Sequence, residues 1–167
     1  MTSLVALSIS IGVLGAVATW LALGLLPDYL QIWVIFIGWA TYFATGGNNA
    51  ALKTTIVSGI WGAICAWVAF LILGAINVDL GPAVWPAIVV GVTVLILCLG
   101  AHVEALSNIP ASVYGYAATA AVGLLKTGAS PTMADFNNPL ILVAVSIIVG
   151  AVFGMLSGKL AGVLGKG

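Results

Sequence analysis

Six apolar stretches leave this chain little choice of solvent. They run from about 4–26, 30–45, 50–76, 82–103, 109–127 and 138–163, and the only charged side chains inside them are Lys53, Lys126 and Lys159. A helix that crosses a bilayer needs about 20 mostly apolar residues, and each stretch reaches or approaches that length. Charged residues make up 5% of the 167, against about a quarter in a soluble domain. A globule of this size keeps too much surface in water to hide so much apolar area. The pattern predicts an all-α membrane protein with six transmembrane helices, built as one polytopic domain over 1–167. The first stretch lacks a basic lead and a clear cleavage site, so it reads as a span rather than a removed signal.

The breaks between stretches are short: Pro27-Asp28, then Thr45 to Asn49, Asn77 to Pro82, His102 to Pro110, and Thr127 to Asp135. Six spans put both termini on one side. Lys53, Lys159 and Lys166 fall on that side and Lys126 on the other, so the positive-inside rule places the termini in the cytoplasm.

The chain also echoes itself. Gly38-Trp39-Ala40 matches Gly115-Tyr116-Ala117, and Val57-Ser58-Gly59-Ile60-Trp61-Gly62-Ala63 matches Val145-Ser146-Ile147-Ile148-Val149-Gly150-Ala151 at five of seven positions. The later copy carries eleven extra residues between its two motifs. Repeat A would cover about 4–76 and repeat B about 82–163. A three-span repeat lies inverted relative to its copy, an arrangement that recurs in transporters with sites near the midplane.

The segment Gly38-Trp39-Ala40-Thr41-Tyr42-Phe43-Ala44, the Gly46-Gly47 that follows, the stretch carrying Lys53 and the six-span size resemble small bacterial inner-membrane proteins of the domain-of-unknown-function 1097 family. The resemblance covers nearly the whole chain. It implies a multi-pass protein of the bacterial inner membrane and carries no functional residue with it.

Few residues could carry chemistry. One His and four carboxylates form no metalloprotease, hydrolase or nucleotide-loop motif. No enzyme activity, metal or cofactor is expected. Zero net charge and the lack of Arg argue against nucleic acid. His102 and Glu104 are two apart and point to different faces of a helix. They read as a boundary pair, or as a gate worked by protonation. Cys65 and Cys98 sit in apolar runs and read as small buried hydrophobes. Lys53 reads as a cytoplasmic anchor that snorkels to the surface.

Three features bear on function. Gly46-Gly47-Asn48-Asn49 is either an ordinary turn or a break at membrane depth that offers backbone groups to a solute. Ser146, Gly150, Gly154, Gly158 and Gly162 recur every four residues and predict close helix packing, within or between subunits, with Ser58 and Gly62 matching on the third helix. Trp39, Thr41, Tyr42, Tyr114 and Tyr116 read either as core packing or as an aromatic constriction, with Asn48 and Asn137 at opposite mouths and Asn49 also on the path. The leading expectation is a membrane channel or simple carrier for a small neutral or weakly polar solute, forming homo-oligomers in the bilayer. The alternative is a non-transporting scaffold or accessory subunit.

Overall fold

The computed structural model describes residues 1–165; Lys166, used in the charge balance above, lies outside them. Six α-helices carry the chain: α1 Ser3–Trp20, α2 Ile32–Ala44, α3 Asn49–Ala75, α4 Val84–Leu99, α5 Ile109–Leu125 and α6 Pro139–Leu164. No strand occurs among the described residues. α1 ends in a π-helical turn, Leu21–Leu25, and α4 runs on into the short 3-10 turns Gly100–His102 and Glu104–Leu106. With those extensions, Ser3–Leu25, Asn49–Ala75, Val84–His102 and Pro139–Leu164 are long and apolar enough to cross a membrane. This is a membrane protein. α2 and α5 have 13 and 17 residues. At 1.5 Å per residue they span about 20 and 26 Å, short of a ~30 Å hydrocarbon core.

Local chemistry sets the ends. Pro27 cannot continue the π turn, since it has no N–H to give. α2 stops at Thr45 because Gly46 and Gly47 take φ of 117° and 64°, conformations that other residues avoid. The Gly47 amide then donates to Tyr42 O at 2.9 Å and closes the helix end. Asn48 starts α3 by accepting from the Ala51 amide at 2.8 Å. Asn108 starts α5 in the same way, accepting from Ala111 at 3.0 Å, with Pro110 in the first turn. Both are ordinary helix caps.

The chain divides into two compact units, and neither coincides with a sequence repeat. One comprises Met1–Ile56 and Val145–Gly167; the other is Val57–Ala144. The first holds α1, α2, the opening of α3 and most of α6. The second holds most of α3, α4, α5 and the opening of α6. Each unit thus combines two helices of one expected repeat with the third helix of the other.

In the first unit α2 and α6 run parallel. Moving along α2, Gln31, Ile35, Tyr42 and Phe43 meet Ser146, Gly150, Gly154 and Gly158 in rising order. A Cβ on Gly38 would come within 2.7 Å of Ile147 O, and one on Gly150 would strike Ile35 O. α1 runs antiparallel to α6, with Ser10 beside Ser157 and Ala6 beside Gly165.

The second unit repeats this plan. α3 and α5 run parallel, with Gly59 on Gly115, Gly62 on Ser112 and Phe70 on Gly123. α4 lies antiparallel to α3: the Trp61 indole donates to Leu97 O at 3.2 Å, and Trp85 donates to Ile76 O at 3.0 Å. The contacts use equivalent positions. Gly38 on Ile147 corresponds to Gly115 on Gly59, and Gly150 on Ile35 corresponds to Gly62 on Ser112. Where two backbones approach this closely, a side chain has no room, so glycine is required on steric grounds.

α1 and α4 leave rows of large apolar residues exposed, among them Leu4, Ile9, Val13 and Leu23 on α1, and Val92, Leu95 and Leu99 on α4. Rows of this extent suit lipid rather than water.

Gly62→Val or Gly150→Val is therefore expected to abolish monodisperse protein in detergent, because each Cβ strikes main chain. Gly162→Ala should leave yield and elution volume unchanged, since nothing lies within 4 Å of that position. Size-exclusion profiles of the three variants check this.

Candidate functional site

The residues expected around a solute path lie in different settings. Trp39 is buried, and its indole donates to the Ser157 hydroxyl at 3.0 Å. Ser157 in turn donates to Gly154 O at 2.8 Å, and its own carbonyl accepts from Ser10 at 2.7 Å. The ring stacks on Phe36 at 6.0 Å and tilts against Phe153 at 5.7 Å. Trp39 thus ties α2 to α6, and Ser10 ties α1 to α6. These three polar groups are all buried and all satisfied, as a low-dielectric interior demands.

Thr41 is buried and bonds back to Ile37 O at 2.7 Å. The Tyr42 hydroxyl donates to Gly47 O at 2.7 Å and braces the glycine turn. Thr45 donates to Thr41 O at 2.8 Å and lies 3.4 Å from the Thr55 hydroxyl. The aromatic cluster of α2 is accordingly a packed polar seam within its unit. In the second unit Tyr116 pairs its hydroxyl with Thr93 at 2.9 Å, linking α5 to α4. Tyr114 is exposed on α5 and is not gathered with Tyr116.

The asparagines have structural duties. Asn48 is the exposed cap of α3, and Asn49 is exposed on its first turn. Asn137 accepts from the Lys126 ammonium at 2.7 Å and donates its main-chain N–H to Asp135 at 2.8 Å. Asn138 is buried and donates to Pro131 O and Met133 O at 3.1 and 2.9 Å. The Trp67 indole also donates to Pro131 O, at 2.7 Å. The long loop from Lys126 to Asn138 is thereby fastened to α3. His102 and Glu104 are exposed on the short turns after α4.

The glycine stripe of α6 closes over only half its length. Gly150 and Gly154 press on α2, with a Cβ at 154 reaching 2.8 Å from the Tyr42 ring. Gly158 meets only the edge of Phe43 at 3.9 Å, and Gly162 meets nothing. The reason is length: α2 stops at Ala44, so no helix continues beside the later glycines. On α3, Gly62 presses on Ser112 of α5, and Ser58, one turn earlier, is fully buried.

Ser157 escaped the sequence reading. It lies eleven residues after Ser146, very nearly three helical turns, so the pair shares a face of α6. That spacing was the available signal. Thr93 and Thr119 offered none, because a lone threonine in an apolar run is common.

An apolar cavity of about 170 Å³ lies between α3 and α4, lined by Trp61, Ile64, Cys65, Val68, Thr93 and Ile96. Both cysteines are free thiols. Among the described residues, no group of three His, Cys, Asp or Glu side chains is placed to hold a metal.

Residues 8–162 match the family described as a protein of unknown function, DUF1097. The chain belongs to that family. Comparison with curated proteins gives no match, and comparison with solved structures gives none. The DUF1097 match covers α2 to α5 whole and most of α1 and α6.

Trp39→Phe should cost about 0.5–1.5 kcal/mol, the worth of the bond to Ser157. Trp39→Ala should cost about 3–5 kcal/mol, because it also removes a buried ring. Asn48→Ala should cost about 1 kcal/mol through loss of the α3 cap. Thermal unfolding of the three proteins in detergent ranks them.

Proposed function

We propose that this DUF1097 protein carries a small neutral or weakly polar solute across a bacterial plasma membrane. The observation that supports this most is the pair of matching seams, α2 on α6 and α3 on α5, made by equivalent residues. In this reading all six helices span, each repeat has three spans, and the repeats are inverted. Inverted repeats that exchange an element suit alternating access, because one fold serves both sides of the membrane. The short helices α2 and α5 occupy corresponding places in the repeats, the usual position of a solute site.

The termini and Lys53 lie in the cytoplasm in this reading, and Lys126 with the Asp135 loop lies outside. No Asp, Glu or Arg sits at the centre of a long apolar helix. Ion coupling through a buried carboxylate is therefore not part of the proposal. Association into homo-oligomers is. Gly12 on α1 and Gly91 on α4 have no atom within 4 Å of an added Cβ and sit among exposed apolar residues such as Val13 and Val92, leaving room for a second copy.

One observation favours the second reading, a scaffold or accessory subunit. Asn48 and Asn49 are exposed rather than gathered in a cavity, and Asn48 is used up as a cap. A stopped-flow light-scattering assay in proteoliposomes, with urea, short amides, ammonia and small alcohols, separates the two. The carrier reading expects at least one solute to equilibrate faster than in protein-free liposomes. Bare-lipid rates for every solute, with folded protein in the bilayer, would leave the scaffold reading in place.

A further inference from the structure

The two seams match in position but not in their hydrogen bonds. At the start of α2 the main-chain N–H of Gln31 donates to the Ser146 hydroxyl of α6 at 3.0 Å. α2 has no side-chain cap of its own, so this bond across the seam does that work. Further along, Trp39 and Ser157 join the same two helices. The α2·α6 seam is latched.

The equivalents in the second unit are Asn108 for Gln31 and Ser58 for Ser146. They follow from the same shifts that relate Gly38 to Gly115 and Gly150 to Gly62. Here α5 is capped by its own Asn108 side chain. The Ser58 hydroxyl is fully buried and has no partner. Thr119, four residues beyond Gly115 on α5, is also fully buried and unpartnered. No hydrogen bond joins α3 to α5 among the described residues. A buried hydroxyl without a partner is costly, and native structures hold few of them. Both of these fall on the helices of one seam, which is smooth around Gly59, Gly62 and Gly115, since these carry no side chains to interlock, and holds the Phe70 ring only further along, at Gly123.

We infer that the α3·α5 seam is the moving joint of this protein: α5 shifts along α3 until the main-chain N–H of Asn108 docks on the Ser58 hydroxyl, the counterpart of the Gln31–Ser146 latch. The inference rests on the carrier reading and deepens it. Each unit contributes one latch, one latch is closed in each end state, and this structure is the state with the α2·α6 latch closed. Opening the Gln31–Ser146 bond accompanies closing of the Asn108–Ser58 bond, so the exchange is close to balanced in energy. Near balance is what a two-state element needs if a weakly bound solute is to shift it.

The test reads the joint directly. Spin labels go on cysteines at Ala105 and Asn77, both exposed and both in the second unit, in a Cys65→Ala, Cys98→Ala background. Electron–electron double resonance on protein in bilayers, without solute, gives the distance distribution. Two distances are expected. Ser58→Ala should reduce the second population about fivefold, and Ser146→Ala should raise it about fivefold, each by removing one latch bond. If Ser58→Ala proves unstable, Ser58→Gly carries the same expectation. A single distance in all variants, or equal responses to Ser58→Ala and Ser146→Ala, would overturn the inference. No solute is present, so this result and the flux result are independent of each other.

Discussion

Close backbone contact at the two parallel helix pairs is the constraint on which the rest depends. At Gly38 and Gly150 in one unit, and at Gly62 and Gly115 in the other, main chain meets main chain with no side chain between. Lipid gives no hydrophobic reward for bringing helices together, so packing must come from such contact and from interhelical hydrogen bonds. The contacts then fix other features. They set α2 parallel to α6 and α3 parallel to α5. Since α3 and α5 are consecutive apart from α4, the chain must travel back along α4 before α5 can begin. The antiparallel contacts of Trp61 and Trp85 with α4 and its approach are the record of that return.

The polar residues follow from the same constraint. A hydroxyl or indole N–H inside these units must find a partner, and the partners are main-chain carbonyls or neighbouring hydroxyls. Ser10, Trp39 and Ser157 satisfy one another around α6. Thr93 and Tyr116 do so between α4 and α5. These bonds choose one rotational setting for each helix, which apolar packing alone would leave loose. Ser58 and Thr119 stand outside this pattern, and both belong to the seam with the most glycine.

Much of the fold was legible in the sequence. Apolar length located all six helices, because a helix in lipid must satisfy its backbone internally and shows itself as a long uncharged run. The Gly46-Gly47-Asn48-Asn49 turn was readable as one of two alternatives, since Gly and Asn act locally on the backbone, and the capping by Asn48 and Asn108 came only with the structure. The seam residues were legible in kind but not in partner. Gly150 and Gly154 announced close packing, yet their partner is α2, whose end at Ala44 leaves Gly158 and Gly162 open. The candidate path was less legible. Trp39 and Tyr42 look alike as sequence whether they line a passage or fill a seam, and their indole and phenol partners, Ser157 and Gly47, decide the setting only in three dimensions. The exchange of third helices between units had no sequence signal, because nothing in a repeat states which copy it will pack on.

The proposed inversion depends on whether the two short helices cross the bilayer. Cysteines at Ser107 and Ala134 flank α5, and cysteines at Asp28 and Asn49 flank α2. Labelling each in intact cells with a membrane-impermeant thiol reagent, before and after permeabilisation, tests this directly. The account predicts opposite sides within each pair, with Ala134 and Asp28 labelled from outside. The same side for both members of either pair would mean that a short helix enters and leaves by one face, and would contradict the three-span repeat.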